Sequence, residues 1–428
     1  MNGVAPPLEA GRLLLFLLQV GLLLLTAVLL GRWALRLGLP RLVGELLAGV
    51  LLGPTVLGNL VPVVSERLFP AESGQMHLLD VVAQLGVLLL VAFTGAQLDV
   101  TGARRHARAA VGVSLGGLLL PLGLGVLTGL LLPGELIPAG TDRLVLAMFL
   151  GVAMCVTAVP VVARMLLELD LLHRRVGQLT ITAAVVDDTV GWLLLAVVAA
   201  LAAGSAGASL PTALVVLVLL VAVAVAVNRW AERSSRADGG STEAGPATAF
   251  SLVAVLAFSA ASAAGGLEPL LGAFLAGAAV LRHVDPARLV GLRTVVMWVL
   301  TPLFLATIGL RIDLTELARP VVLGTAAAVL GLAVLGKFVG VYAGARLSRV
   351  SRRESVALGI GMNTRGMVEV VVALVGLRAG ILSTALFTVV ILLAIATSVG
   401  VPGLLRAAMR RVPEGSEEVA RREAALPS

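Results

Sequence analysis

The sequence predicts an all-α polytopic membrane protein of about thirteen transmembrane helices. Three observations carry that expectation. Of the 428 residues, 59% are hydrophobic and 13% are charged, where a soluble domain carries about 25% charged residues. Apolar runs of about 20 residues, each sufficient to cross the hydrocarbon core, recur from residue 11 to residue 406. The arginines collect between those runs or near their ends, and Arg164 and Arg365 are the two that remain within spans away from this pattern.

In chain order the runs place spans at 11–35, 40–59, 78–97, 109–132, 144–167, 176–203, 210–228, 248–265, 269–281, 290–310, 320–345, 355–377 and 384–406. Residues 1–10 hold no basic residue, and the run beginning at Leu13 is too long for a cleaved signal, so the first run reads as a span. The one long polar linker is "NRWAERSSRADGGSTEAGPAT", residues 228–248, and residues 413–428 read as a short charged cytoplasmic tail. No polar segment has the length of a nucleotide-binding, regulatory or receptor domain. The +7 net charge does not point to nucleic acid, because the arginines are scattered from loop to loop. Cys155, the single cysteine, lies within a span, so no disulfide framework is expected, and no cofactor motif is present.

Arginine placement sets the orientation. With the N-terminus outside, 23 arginines fall in inward loops or the C-terminal tail, among them Arg32, Arg36, Arg174, Arg175, Arg229, Arg346 and Arg353. Six fall outward: Arg12, Arg67, Arg143, Arg311, Arg319 and Arg378. This is the bias expected of a multi-pass protein of the plasma membrane with a cytoplasmic C-terminus.

Two spans are interrupted. The fifth carries "AMCVTAVPVV" and the twelfth "GMNTRGMVE", each a polar break with Pro or Gly in an apolar helix. They are seven apart in the order of spans, an odd number, so they run in opposite directions. Paired broken helices in inverted repeats mark a transporter's binding site, and spans 4–6 and 11–13 would be the two repeats.

Asp187 and Asp188 sit side by side within the sixth span, in "TAAVVDDTVGWLLLAV". At ~1.5 Å per residue from Arg175 they lie roughly 18–20 Å into the membrane. A charge there costs roughly 2.5–3.5 kcal/mol, so the default reading is a proton or ion site rather than a packing pair. Adjacent helical residues point about 100° apart, so one carboxylate can meet a neighbouring helix while the other faces a water-filled cavity. Lys337, the only lysine in the chain, stands near the middle of the eleventh span. Unlike arginine it can lose its proton when buried, and an ion pair with one of the two aspartates would keep both in the membrane. In the first break Thr157 offers a hydroxyl, and Pro160 frees the carbonyl of Val156, four residues back. Asn363, Thr364, Arg365 and Glu369 belong to the second break. Arg365 and Glu369 are four apart, which suits a structural ion pair, with a part in gating as the sharper reading. Arg164 and Glu168 have the same spacing, and Glu45 reads as structural or as lining the cytoplasmic mouth.

These residues resemble a known family. "LPRLVGELLAGVLLGPTVLG", "AMCVTAVPVVARMLLELDLL", "AAVVDDTVGWLLLAVV", "EPLLGAFLAGAAVL", "TPLFLATIGLRIDL", "VLGKFVGVYAGA" and "GMNTRGMVEVVVALVGLRAGILS" occur in this order from about residue 10 to 406. The chain is similar to the second monovalent cation:proton antiporter family, of the sodium/hydrogen exchanger type. The resemblance implies a transmembrane domain over 1–412, with two inverted repeats whose discontinuous helices cross. It places a core at about 109–203 and 320–406 beside a dimerisation part at about 11–97 and 248–310, and it implies a homodimer working by an elevator-like movement. By the same resemblance Asp188 is the carboxylate that binds a cation or a proton, Asp187 is the partner of Lys337, and Thr157 is a polar position of the first broken helix. An Asp–Asp pair resembles the electrogenic members. "MNTRGMVE" looks closer to the plant-type potassium/proton exchangers, so the cation is Na+ or K+.

The expected activity is therefore exchange of Na+ or K+ for H+, without chemical reaction, by transient binding of the metal ion and the proton in turn at Asp188. The other readings of the same architecture are a cation channel, opposed by buried Lys337, and a sodium-coupled organic-anion symporter, which would want a roomier polar crevice.

Overall fold

The computed structural model describes residues 9–70, 73–96, 107–203, 210–237, 244–415 and 418, and these are helical throughout, with no strand among them. Residues 238–243 of the polar linker and most of the 413–428 tail lie outside the described residues. The helices are α1 (Ala10–Arg36), α2 (Arg41–Leu52), α3 (Pro62–Leu68), α4 (Ser73–Ala96), α5 (Ala107–Leu131), α6 (Arg143–Cys155), α7 (Val159–Glu168), α8 (Arg175–Ala203) and α9 (Leu210–Ala237). They continue as α10 (Ala244–Ala264), α11 (Pro269–Ala279), α12 (Val290–Val295), α13 (Thr301–Gly309), α14 (Pro320–Leu347), α15 (Arg352–Gly361), α16 (Met367–Arg378) and α17 (Thr384–Met409). Among the described residues, 11 helical stretches are long and apolar enough to cross a membrane. The remaining expected spans take other forms: α11 is shorter, and residues 352–378 are divided into α15 and α16.

The chain divides into two compact units, residues 1–90 with 289–315 and residues 91–288 with 316–428. In the first, α1, α2 and α13 pack around Leu23, Ala27, Ala48, Leu303 and Ala306. Glu45 is buried there, 2.5 Å from Arg41 of the same helix, whose guanidinium lies 4.2 Å from the ring centroid of Trp298. That is the structural reading of Glu45. Arg311 grips both carboxylate oxygens of Asp80 at 2.6 and 2.7 Å.

The second unit is organised by α5 and α14. Gly112 and Gly116 on α5 face Gly344 and Gly340 on α14; a Cβ on Gly340 would stand 2.0 Å from the Gly116 carbonyl oxygen, and one on Gly344 the same distance from that of Gly112. Glycines four apart on both helices thus allow backbone-to-backbone contact, as small residues do where lipid supplies no hydrophobic drive. α8 packs against α5, α6 and α7, around a core that includes Val162, Leu166, Leu179, Ala183, Val341 and Ala357.

Helix ends in this unit have identifiable causes. Asp142 caps α6 by accepting from the Leu144 N–H at 2.7 Å. Ser351 and Glu354 form a capping box at the start of α15. The C-terminal segment docks on the turn before α8: Arg174 reaches Glu418 at 3.1 Å and the Val412 carbonyl at 2.9 Å, His173 meets Glu414 at 2.9 Å, and the Arg175 N–H donates to Glu418 at 2.6 Å. Glu418 therefore caps the helix that carries the two aspartates.

Candidate functional site

Every residue singled out from the two broken spans, from "DD" and from Lys337 lies in the second unit, and the chain path brings them to one place. α6 ends at Cys155, residues 156–158 are extended, and α7 restarts with Pro160 in its first turn. Proline suits that position because its missing N–H has no intrahelical acceptor there. The second break has the same form, with residues 362–366 between α15 and α16. Asn363 Nδ2 donates to the Gly359 carbonyl at 2.9 Å and Thr364 Oγ1 to that of Gly361 at 2.7 Å. Asn363 thus satisfies a carbonyl that the lost turn of α15 leaves open, and Thr364 Oγ1 adds a second bond to a carbonyl that already takes its own backbone N–H.

The two breaks touch. Thr157 Oγ1 lies 3.2 Å from the Met362 carbonyl oxygen, and Gly366 passes so near α7 that a Cβ there would stand 2.6 Å from Val161. Arg365 crosses to the end of α6, donating through Nη1 to the Ala153 carbonyl at 2.7 Å and through Nη2 to the Met154 carbonyl. Lys337 Nζ donates to the next carbonyl, Cys155. The C-terminus of α6, the negative end of its dipole, is thus covered by two buried cations, one from α14 and one from the second break. The chain leaves α6 at Val156, before the proline, and the carbonyls that these cations answer are those of Ala153, Met154 and Cys155.

Asp187 is held by three donors. Lys337 Nζ is 2.7 Å and Thr157 Oγ1 3.1 Å from Oδ2, and Ser114 Oγ is 2.6 Å from Oδ1. Lys337 and Asp187 are both 0% exposed. Asp188 is 1% exposed, and neither of its oxygens has a hydrogen-bond partner. The helical rotation between neighbours separates them: Asp187 turns toward α5 and α14, and Asp188 turns elsewhere. Thr157, expected with the two aspartates in ion and proton binding, is joined to Asp187.

Arg365 and Glu369 form the expected pair, Nη1 to Oε1 at 2.7 Å, both buried. Glu369 Oε2 and Asn363 Oδ1 are left without partners, and Ser398 of α17 donates to the Arg365 carbonyl at 2.7 Å. Arg164 and Glu168 pair at 2.8 Å on the exposed side of α7. Ser114 and Ser398 escaped the sequence reading. Ser114 had one signal, its place inside the Gly-x-x-x-Gly of α5; Ser398 had none, being one hydroxyl in an apolar helix.

Comparison with known proteins follows the same outline. Residues 22–411 match the family described as "Sodium/hydrogen exchanger, transmembrane". The Na+/H+ antiporter NhaS4 of Synechocystis is 30% identical over 397 residues, covering 92% of this chain and 96% of that protein. Cation/H+ antiporter 19 of Arabidopsis thaliana is 31% identical across 90% of this chain, which spans 48% of that relative. K+/H+ antiporter 1 of Saccharomyces cerevisiae is 30% identical across 90% of this chain and 45% of its own length. The chain therefore spans about half the length of the plant and yeast relatives and nearly all of the cyanobacterial one. Among solved structures, the sodium proton antiporter MjNhaP1 of Methanocaldococcus jannaschii has the same fold, with a TM-score of 0.65 at 16% identity and coverage of 95% of this chain and 99% of that one. A match along nearly its whole length, broken spans included, makes this chain a member of the sodium/hydrogen exchanger transmembrane family.

Proposed function

We propose that the protein exchanges a monovalent cation, Na+ or K+, for protons across the membrane, with the two competing for Asp188. The observation that carries this reading is the unequal treatment of two adjacent carboxylates. Asp187 is paired with Lys337 and hydrogen-bonded by two hydroxyls, whereas neither oxygen of Asp188 has a partner in this structure. A bare carboxylate in a dry interior costs several kcal/mol. Such a group favours carrying a proton or a metal ion, and it takes one at a time. Crossing the membrane loaded and refusing to cross empty is what makes exchange obligatory. Relatives named for Na+/H+ and for K+/H+ exchange support the choice of either cation.

In this reading the ion's arrival makes Lys337 release either its pairing with Asp187 or its proton, and the exchange is electrogenic. Residues 109–203 and 320–406, which hold every residue of the site, form the moving core. The chain works as a homodimer in the plasma membrane with its arginine-rich side in the cytoplasm. The test is proton flux in proteoliposomes offered Na+, K+ and Li+ in turn. The wild type should exchange, and Asp188→Asn should be silent while retaining its thermal transition. Undiminished exchange by that variant removes Asp188 from the mechanism.

A further inference from the structure

Asp188 has a neighbour that the transport reading leaves unused. Trp192 stands four residues further along α8, so the two share one face of the helix. Helical side chains lean in general toward the N-terminus, and Asp188 lies on that side of Trp192. Trp192 is 2% exposed, its ring rests against Phe274 of α11 with centroids 5.8 Å apart, and its Nε1–H is buried without an acceptor. One helix face therefore presents an orphan donor and, one turn away, two orphan acceptors. Buried polar groups are seldom left so, and each calls for a reason.

The donors grouped around Asp187 are engaged. Lys337 holds Asp187 and the Cys155 carbonyl. Thr157 and Ser114 hold Asp187. Thr189 bonds back to the Val185 carbonyl at 2.8 Å. Arg365 keeps an unpartnered Nε, but its guanidinium is fixed on the end of α6. The ionisable groups around this part of α8 are Asp187 on the same helix, Cys155 at the end of α6, Lys337 on α14, and Arg365 and Glu369 at the second break; α11 and residues 111–131 of α5 carry none.

We infer that Trp192 is a positioning residue for the ion site: its indole N–H takes the Asp188 carboxylate when neither proton nor metal ion is on it. The inference rests on the transport reading. The donated hydrogen bond stabilises the emptied carboxylate and must be given up when either ion arrives, so Trp192 weakens the hold of both and speeds their release. It acts through Asp188 and transfers no proton.

Trp192→Phe keeps a ring against Phe274 and removes the N–H. In proteoliposomes the midpoint of the pH–exchange profile should move up by about one unit, the size of one hydrogen bond to a charged group. The half-saturating cation concentration at alkaline pH should fall severalfold, and turnover should slow. A loss of packing alone would lower turnover without moving the midpoint. Independently, in protein whose other three tryptophans, Trp33, Trp230 and Trp298, are replaced by Phe, the indole N–H vibration read by ultraviolet resonance Raman should report a hydrogen bond gained at high pH without cation. It should be lost on adding Na+ or K+, and absent in the Asp188→Asn background. An unmoved midpoint in an active Trp192→Phe protein overturns the inference, and so does an indole signal indifferent to Asp188→Asn. Absence of exchange in the wild type sinks the transport reading instead, and the Raman signal still decides whether Trp192 bonds to Asp188.

Discussion

Lys337 Nζ lies 2.7 Å from Asp187 Oδ2 with both side chains fully buried, and the neighbouring Asp188 is left without a partner. The two carboxylates are alike in chemistry and depth. What separates them is a turn of about 100° on the helix, which points one at α14 and the other away from it.

Breaking that pair from one side should cost more than removing it whole. Lys337→Met strands Asp187 as a buried unpaired charge, and the loss should be about 3–5 kcal/mol. Asp187→Asn combined with Lys337→Met should recover most of it, because no charge is then left over. Thermal unfolding in detergent of the two singles and the double reads this directly. A double mutant no more stable than the sum of the singles counts against the pair as drawn. Asp187→Asn alone should also alter the charge moved per cycle, which a potential-sensitive dye measures.

Arg365 covers carbonyls of α6 as well as pairing with Glu369. Arg365→Ala should therefore destabilise by about 3–5 kcal/mol, and adding Glu369→Gln should return only part, since the Ala153 and Met154 carbonyls remain bare. Arg365→Lys should fall between, because an ammonium cannot span two carbonyls and a carboxylate as a guanidinium does. Full rescue by Glu369→Gln would show that the capping role is idle.

The α5–α14 contact gives a third test. Gly340→Leu would drive side-chain atoms into the Gly116 backbone, which a Cβ would already approach to 2.0 Å. The helices must then part, carrying Ser114 and Lys337 away from Asp187, with a loss of at least about 2 kcal/mol and of exchange. Gly331→Ala on the same helix meets nothing within 4 Å and should be neutral in both melting and transport.

The docked tail should respond to pH. Burial pushes the Glu418 carboxyl up, but the backbone N–H groups of Arg175 and Gly415 and the Arg174 guanidinium outweigh it and hold it below the ordinary carboxylate value. A carboxylate depressed in the folded state contributes stability above its unfolded value and loses it as pH falls through the folded one. Protection from hydrogen exchange at the start of α8, taken relative to the intrinsic rate at each pH, should therefore fall as pH drops through and below the normal glutamate range. Glu418→Gln should show low protection already at neutral pH, with little further change on acidification. Equal pH dependence in both proteins would detach Glu418 from the cap.

Much of this was legible beforehand. Long apolar runs, arginines between them and two interrupted spans are one-dimensional signals, since a bilayer tests each segment for length and polarity on its own. Asp187, Asp188 and Lys337 stood out for the same reason: a charge within a span is conspicuous without any partner in view. The Arg365–Glu369 and Arg164–Glu168 pairs followed from helical spacing alone.

Partner choice was not legible. Lys337 and Asp187 are 150 residues apart, and nothing in either span says which aspartate the lysine takes, or that Arg365 and Lys337 share the end of α6. The sequence by itself determined a membrane-spanning helical protein with broken helices and buried charge. The tertiary structure decided which charge is spent within the protein and which is left for an ion, because that depends on the angle at which α5, α8 and α14 meet, set by glycine contacts between segments far apart in the chain.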